Sequence, residues 1–157
     1  MTTRVDIPER SGERPSTGRP VHSQLDQNAP VEFHRELWRR MRALEGVTPG
    51  RSHVSLPQSL ALHLGTEYAS GPDSAYFAGT EFAHLHSAND GSLHVMLPPA
   101  DAAEAIAKGW AEPHPMVAPG FLPPTAVMLY GPRDDDELAV VWRLIERSYA
   151  FARGELA

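Results

Sequence analysis

Cysteine is absent from the 157 residues of this chain. Its absence excludes disulfide bonds, thiolate nucleophiles and cysteine-ligated zinc or iron–sulfur centres. Any metal site must therefore be built from histidine and carboxylate side chains. The chain has 8 histidines from which to build one.

Long apolar runs are also missing. No stretch approaches the roughly 18 consecutive apolar residues that a membrane-spanning helix requires. The N-terminus has no apolar stretch of the kind found in secretory signals. We therefore expect a cytoplasmic protein that has no membrane partner.

Positive charge is scarce, and the formal net charge is −6. Phosphate binding needs a concentrated basic surface, so we do not expect nucleic acid as a partner. The one local exception is a group of arginines on a predicted helix: Arg35, Arg39, Arg40 and Arg42. A solvated face that complements the helix dipole explains this group, and a partner-binding surface is the weaker alternative. No feature of the sequence indicates an oligomeric state.

The N-terminal part of the chain is polar. Residues 1–28 are rich in threonine, serine, glycine, proline and charged side chains, and they carry almost no periodic apolar residues. Burial of so few apolar groups cannot offset the entropy lost on ordering. We predict a disordered tail over residues 1–28 and a single domain over residues 29–157.

Apolar periodicity predicts the secondary structure of this domain. Helical spacing indicates a helix over residues 31–45, and strict alternation indicates a strand over 59–64, with His63 facing away from the leucines. The other predicted elements are two strands around an Asn-Asp-Gly turn, a short helix, a strand and a long C-terminal helix: 75–87, 92–97, 101–108, 125–130 and 135–153. Strands joined by tight turns favour an α+β fold: an antiparallel sheet of about four to six strands with the N- and C-terminal helices on one face.

The candidate functional centre is a group of histidines on the predicted hairpin. Side chains at i and i+2 share a face of a strand, so His84 and His86 project together. A three-residue loop at 89–91 would place His86 opposite His94 and His84 opposite Met96. All three imidazoles would then share one face and could ligate an ion. A two-residue turn would instead send His94 to the opposite face.

Other ionisable residues could complete this site. His114 lies in the proline-rich stretch 111–124, which we expect to form a stiff loop over a pocket. Glu81 could act as an acid, orient a histidine or serve as a ligand, although a regular strand would point it away from the histidines, so it would need a bulge or a separate role. Glu112 could do the same. Imidazoles suit zinc, iron, copper or nickel, and a neutral imidazole can equally act as a metal-free base near pH 7.

Aromatic side chains near the predicted strands could form the wall of a substrate pocket. Phe82, Trp110 and Tyr130 are the candidates. Aromatic residues beside strands more often belong to the core, and that alternative stays open for each of them.

Several motifs together resemble a known family. The stretches concerned are Thr80-Glu81-Phe82-Ala83-His84-Leu85-His86, Ser92-Leu93-His94, Lys108-Gly109-Trp110-Ala111-Glu112-Pro113-His114-Pro115 and Tyr130-Gly131-Pro132-Arg133. In this order and spacing, from Thr80 to about Phe151, the chain resembles the domain of fungal luciferases and their bacterial luciferase-like relatives. Fungal luciferases oxidise a hydroxylated styrylpyrone with molecular oxygen and are described as needing no added cofactor.

The resemblance implies an oxygen-dependent oxidoreductase acting on an enolic or phenolic aromatic small molecule. The implied catalytic residues are Glu81, His84, His86, His94 and His114, and the implied substrate-binding residues are Phe82, Lys108, Trp110 and Tyr130. No cofactor is strictly required, although a transition metal on His84, His86 and His94 stays possible. The alternative is a non-catalytic module that binds a metal or small ligand at the same histidines.

Two departures limit this resemblance. The fungal proteins carry an apolar N-terminal membrane segment that this sequence lacks, and they have a basic residue in place of Thr80. Light emission is therefore not implied, because function belongs to a site and not to a fold.

Overall fold

The computed structural model describes residues 3–19 and 21–156, which form two antiparallel sheets with helices packed against the larger one. The strands are β1 (Thr17–Gly18), β2 (Ser23–Gln24), β3 (Val47–Arg51), β4 (Leu60–Leu64), β5 (Glu81–Leu85), β6 (Leu93–Met96), β7 (Ala111–Pro113) and β8 (Ala126–Leu129). The helices are α1 (Val31–Arg42), α2 (Pro99–Ala107) and α3 (Asp135–Ala152), with a short 3-10 turn at Asp73–Ala75.

The larger sheet has six strands in the order β3-β4-β5-β6-β8-β7, and each neighbouring pair is antiparallel. Strands β1 and β2 form a separate two-stranded ribbon. The two edge strands of the larger sheet, β3 and β7, were not predicted. Each contains a proline, Pro49 or Pro113, which an edge strand tolerates because one of its sides has no partner in the sheet.

Helices α1 and α3 bury their apolar stripes against one face of the larger sheet. Leu37 and Met41 of α1 and Ile145 of α3 join a single core with strand residues such as Leu62 and Val95. The predicted α+β fold is confirmed. No helix among residues 3–19 and 21–156 is both long and apolar enough to cross a membrane.

The segment before α1 differs from the predicted disordered tail. Val5 and Ile7 are almost fully buried in the core, at 1% and 2% exposure. The Val5 amide donates to the buried carboxylate of Asp101 at 2.7 Å, and the Arg10 amide donates to the Lys108 carbonyl at 2.9 Å. Two apolar side chains are too few to produce a periodic signal, yet both belong to the main core. Met1, Thr2 and Pro20 of the predicted tail lie outside the described residues.

Candidate functional site

The hairpin formed by β5 and β6 carries three histidines on the face of the sheet opposite α1 and α3. Its observed register pairs His84 with His94, and the His86 amide donates to the Ser92 carbonyl at 2.9 Å. The predicted pairing of His86 with His94 and of His84 with Met96 is wrong, because the turn spans residues 87–91 and not 89–91. The observed register differs from the predicted one by two residues, so every side chain stays on its predicted face of the sheet. The three imidazoles therefore converge as predicted.

A β-bulge turns Glu81 toward these histidines. The pairing of β4 with β5 shifts between Leu62↔Ala83 and His63↔Glu81, so that Phe82 is the extra residue. A bulge changes the alternation of side chains between the two faces. Glu81 consequently accepts a hydrogen bond from His84 Nδ1 at 2.9 Å, although a regular strand would point it away.

Three ring nitrogens meet at the centre of the site. His84 Nε2 lies 2.9 Å from His94 Nδ1, and His86 Nε2 lies 3.1 Å from the same atom. All three nitrogens lie within 4.8 Å of one another, and the three side chains are buried. These are the residues of the described chain that could hold a metal ion.

The carboxylate of Glu81 fixes the orientation of His84. It also accepts hydrogen bonds from the Ser52 hydroxyl at 2.7 Å and from the His53 amide at 2.8 Å. Burial would raise the pKa of Glu81, but these bonds and the bond from His84 together lower it. Burial lowers the pKa of His84, and Glu81 only partly opposes this effect. A neutral His84 therefore donates from Nδ1 to Glu81 and leaves Nε2 without a proton.

The end of the hairpin turn fixes His86 in the same way. His86 Nδ1 lies 2.8 Å from the Ser92 hydroxyl oxygen, and that hydroxyl donates in turn to Asp90. Burial opposes ionisation of Asp90, yet its bonds to His86 and Ser92 lower its pKa overall. Because the Ser92 proton goes to Asp90, its oxygen accepts from His86 Nδ1. The His86 tautomer with its proton on Nδ1 then also presents a bare Nε2 to the centre.

The third histidine, His94, is held by a residue that the sequence did not indicate. His22, in the short ribbon of β1 and β2, places Nδ1 2.8 Å from His94 Nε2. Its other nitrogen, Nε2, lies 2.8 Å from Glu112. A lone histidine in a polar segment carries no pattern that marks it as part of a site. Only the folding of this segment onto the sheet brings it to His94.

Glu112 is the second carboxylate of this network. It accepts bonds from the Thr17 hydroxyl at 3.0 Å and from the Tyr130 hydroxyl at 2.9 Å as well as from His22. Burial works against its ionisation, but these three bonds lower the pKa of Glu112. Burial and the bond to Glu112 raise the pKa of Tyr130 to about 12, so this phenol stays protonated near pH 7.

The two carboxylates determine where the protons of the network lie. Glu112 accepts a hydrogen bond from His22 Nε2–H, so His22 Nδ1 accepts from His94 Nε2. His94 is then left with a bare Nδ1. Burial and the neighbouring imidazoles lower the pKa of His94 well below its ordinary value, which favours this neutral form. The lone pairs of three ring nitrogens therefore face one another.

His114 lies over the cluster, as the sequence predicted. Its ring centre is 4.4 Å from that of His94, and its Nδ1 accepts the Met116 amide at 3.1 Å. Burial and the neighbouring histidines lower the pKa of His114 to about 4. It is therefore neutral near pH 7, and its proton is on Nε2.

An open pocket with a volume of about 630 Å³ adjoins the cluster. His86, His94 and His114 form part of its wall. Its rim carries solvent-exposed apolar side chains from three loops, which are Val21, Leu25, Val54, Leu56 and Met116. Apolar walls with a few convergent polar groups are typical of small-molecule sites.

The four predicted substrate-binding residues lie elsewhere than in this pocket. The bulge turns Phe82 into the core beside Tyr149, with their ring centres 6.1 Å apart. Trp110 Nε1 donates to the Pro8 carbonyl at 2.6 Å, and Lys108 Nζ donates to the Ile7 carbonyl at 2.7 Å, so both hold the N-terminal segment. Tyr130 belongs to the hydrogen-bond network through Glu112. The roles of Lys108 and Trp110 depend on a segment that was predicted to be disordered.

One aromatic residue beside the cluster was missed. The Phe77 ring centre is 5.2 Å from that of His84, 6.3 Å from that of His114 and 6.4 Å from that of His94. Phe77 lies in the loop before the bulge, and its amide donates to the Glu81 carbonyl at 2.7 Å. Phe77 thus packs on the histidines, whereas the sequence analysis had given Phe82 as the candidate aromatic residue there.

Comparison with known proteins gives a family for this arrangement. Residues 79–148, which include β5, β6 and most of α3, match the family described as "Luciferase domain". This match supports a luciferase-like family for the chain. The β-bulge at Glu81, the hairpin of β5 and β6 and the three clustered histidines all lie within this matched part.

The similar proteins are fungal luciferases. The chain is 30% identical to the luciferase of Armillaria ostoyae over 97% of its own length and 63% of that protein. It is 38% identical to the luciferase of Neonothopanus nambi over 49% of its own length and 30% of that protein. The luciferase-like chain thus spans less than two thirds of these relatives. No solved structure matches it significantly.

Proposed function

We propose that this luciferase-like protein is an oxidoreductase that uses molecular oxygen to oxidise an enolic or phenolic aromatic small molecule. The observation that carries the proposal is the opening of a buried histidine cluster onto an apolar-rimmed pocket of about 630 Å³. A flat, largely apolar molecule can bury its surface against the rim while its hydroxyl group meets the imidazoles. The similar proteins are named luciferases, and this similarity favours an oxidation as the class of reaction.

The cluster supplies a proton acceptor for the first step. Transfer of the substrate hydroxyl proton to a bare imidazole nitrogen leaves an enolate or phenolate, and an imidazole near its neutral form is well suited to this role. The carbanionic carbon then forms a C–O bond with oxygen, and the electron pair of that carbon reduces oxygen to the level of a peroxide. The proton returns to the outer peroxide oxygen, so the product is the substrate plus one O₂.

His114 has a separate part in this proposal. Because its Nδ1 accepts the Met116 amide, its Nε2 carries the proton of the neutral ring. It can therefore donate a hydrogen bond to the substrate anion or to the developing peroxide. A donor already in position stabilises negative charge without reorganisation at the moment of reaction.

Oxygen consumption tests the proposal directly. The protein would be mixed with a panel of hydroxypyrones and catechols in an oxygen-electrode cell, and we expect uptake above the substrate's own autoxidation. His86→Ala should lower kcat at least about 100-fold, the range associated with loss of a general base. His63→Ala is the matched control, because its ring bonds the Arg51 carbonyl and lies outside the pocket.

The rim provides a second measurement. Leu56→Asp places a charge on the pocket rim and should raise KM with little change in kcat. Phe121→Asp makes the same kind of change at an exposed residue outside the pocket and should alter neither value. Tight binding of a panel compound without any oxygen uptake would contradict the enzyme and support a binding module.

A further inference from the structure

We infer that His84 Nε2, His86 Nε2 and His94 Nδ1 bind a single divalent transition-metal ion. The inference goes beyond the proposed reaction, since it would hold equally for a protein that only binds a ligand. Its basis is the direction of the hydrogen bonds around the three rings. The three candidate ligands are all histidines. No thiolate is involved, because the chain has no cysteine.

The first argument concerns lone pairs. Each of the three histidines donates its outer N–H away from the centre, to Glu81, to Ser92 or to His22. The inner nitrogens are then three acceptors without a donor, two of them 2.9 Å and 3.1 Å from the third. Lone pairs at such distances repel one another. A proton can bridge only two of these nitrogens well, whereas a metal ion binds all three.

The second argument concerns the supporting residues. A histidine that binds a metal almost always donates its other N–H to a carboxylate, a carbonyl or another polar acceptor. Glu81 provides that acceptor for His84, and Ser92 backed by Asp90 provides it for His86. His22 provides it for His94 and is itself backed by Glu112. Every ligand is thus oriented by a hydrogen-bond chain that ends at a carboxylate.

The third argument concerns spacing. Metal–nitrogen bonds of about 2.1 Å place neighbouring nitrogens about 3.0 Å apart around an octahedral ion and about 3.4 Å apart around a tetrahedral one. The observed separations of 2.9 Å and 3.1 Å fit the octahedral value. Three nitrogens then occupy three positions around the ion, and the other positions are left for oxygen ligands. His86 and His94 form the pocket wall, which gives a ligand access from that side.

An ion here would bring positive charge to the centre of the cluster. It would acidify a hydroxyl oxygen bound to it, and the released proton would leave through the open pocket. Imidazole ligands suit iron(II), cobalt(II), nickel(II), copper(II) or zinc(II). Cobalt(II) is the useful probe, because its visible absorption reports both binding and coordination number.

The experiment uses the full chain freed of any affinity tag, because a polyhistidine tag would itself bind cobalt. After dialysis against EDTA and then metal-free buffer, the protein is titrated with CoCl₂ under argon. We expect saturation at one cobalt per chain, with the weak visible bands of a six-coordinate ion. His63→Ala should give the same titration. His86→Ala should reduce cobalt binding to the background level of a protein that has no histidine site.

A positioning variant separates ligation from general damage to the fold. Glu81→Gln keeps the size of the side chain but weakens the acceptor for His84, and we expect an affinity loss of about 10- to 100-fold. Far-UV circular dichroism of each variant checks that it has folded. The titration of the unmodified protein does not depend on any variant, so the inference is testable even if one of them fails to fold.

Two outcomes overturn the inference. One is binding of less than about a tenth of an equivalent of cobalt by the unmodified protein, and the other is equal loss of binding in His63→Ala. Failure of the proposed reaction is distinguishable from both. A protein that binds one cobalt, and one iron(II) in the same assay, but consumes no oxygen keeps the metal site and loses the oxidase. Full oxygen uptake by a protein that binds less than about a tenth of an equivalent of cobalt does the reverse.

Discussion

The N-terminal segment should be part of the folded domain, and Ile7→Ala tests this. The Ile7 side chain is 2% exposed and lies in the main core. Truncation of a buried isoleucine to alanine usually costs about 2–5 kcal/mol. Because a chain-terminal segment can relax around the cavity more easily than a central strand, we expect a loss of about 2–3 kcal/mol. That loss lowers the folding equilibrium constant roughly 30- to 150-fold.

Urea unfolding followed by tryptophan fluorescence measures this loss, because Trp110 contacts the segment at Pro8. Leu25→Ala is the matched control, since Leu25 lies in the same N-terminal part but is 60% exposed. Its effect should stay within about 0.5 kcal/mol. Hydrogen exchange gives an independent measurement, because the Val5 and Arg10 amides both donate to acceptors near α2 and should be protected.

The reasoning would be refuted by a particular pair of results. If Ile7→Ala changes stability by less than about 0.5 kcal/mol and the Val5 and Arg10 amides exchange as fast as in an unfolded peptide, the segment does not pack on the domain. His22 would then have no fixed position beside His94, and the hydrogen-bond chain to Glu112 would be lost. The same experiment therefore tests the fold and one arm of the site.

The start of α3 offers two further predictions. Asp134→Ala removes the side chain that accepts a hydrogen bond from the Glu137 amide at 2.8 Å, and it should cost about 1 kcal/mol of unfolding free energy, measured with urea. Asp136→Ala is the control, because it removes the same charge without this hydrogen bond and should cost less. Burial would raise the pKa of Glu137, but the hydrogen bonds from Arg133 lower it below its ordinary value of 4.5. The ionised Glu137 therefore stabilises the folded protein above pH 4.5, and this stabilisation is lost as pH falls through the lowered pKa. Glu137→Gln should therefore be less stable than the unmodified protein at pH 7 and lose that difference as pH falls through the lowered pKa of Glu137. A difference that is independent of pH would contradict the ion pair.

Much of the fold could be predicted because it depends on short-range periodicity. Alternating leucines mark the inner face of β4, and Leu62 and Leu64 are indeed in the core while His63 faces away. The apolar stripe of α3 and its capping residue Asp134 likewise follow from local spacing. Edge strands β3 and β7 could not be predicted, because edge positions tolerate proline and do not need an apolar pattern.

The site was predicted only in part, for a reason specific to β-structure. The face of a strand on which a side chain lies depends on whether its position is odd or even, and a slip of two residues leaves this unchanged. The convergence of His84, His86 and His94 thus survived an incorrect register. A bulge does alter the face, and it moved Glu81 toward the histidines and Phe82 into the core. Nothing in the local pattern indicated where the bulge lies.

The sequence by itself determined the residue types available to the site, the absence of thiolates and the hairpin face on which the histidines lie. Tertiary structure alone decided how those histidines are held. His22 meets His94 across 72 positions of the chain, and Glu112 reaches His22 across 90. Contacts at such separations arise from packing of a whole segment on a core, and two buried side chains, Val5 and Ile7, leave no periodic trace of that packing in the sequence.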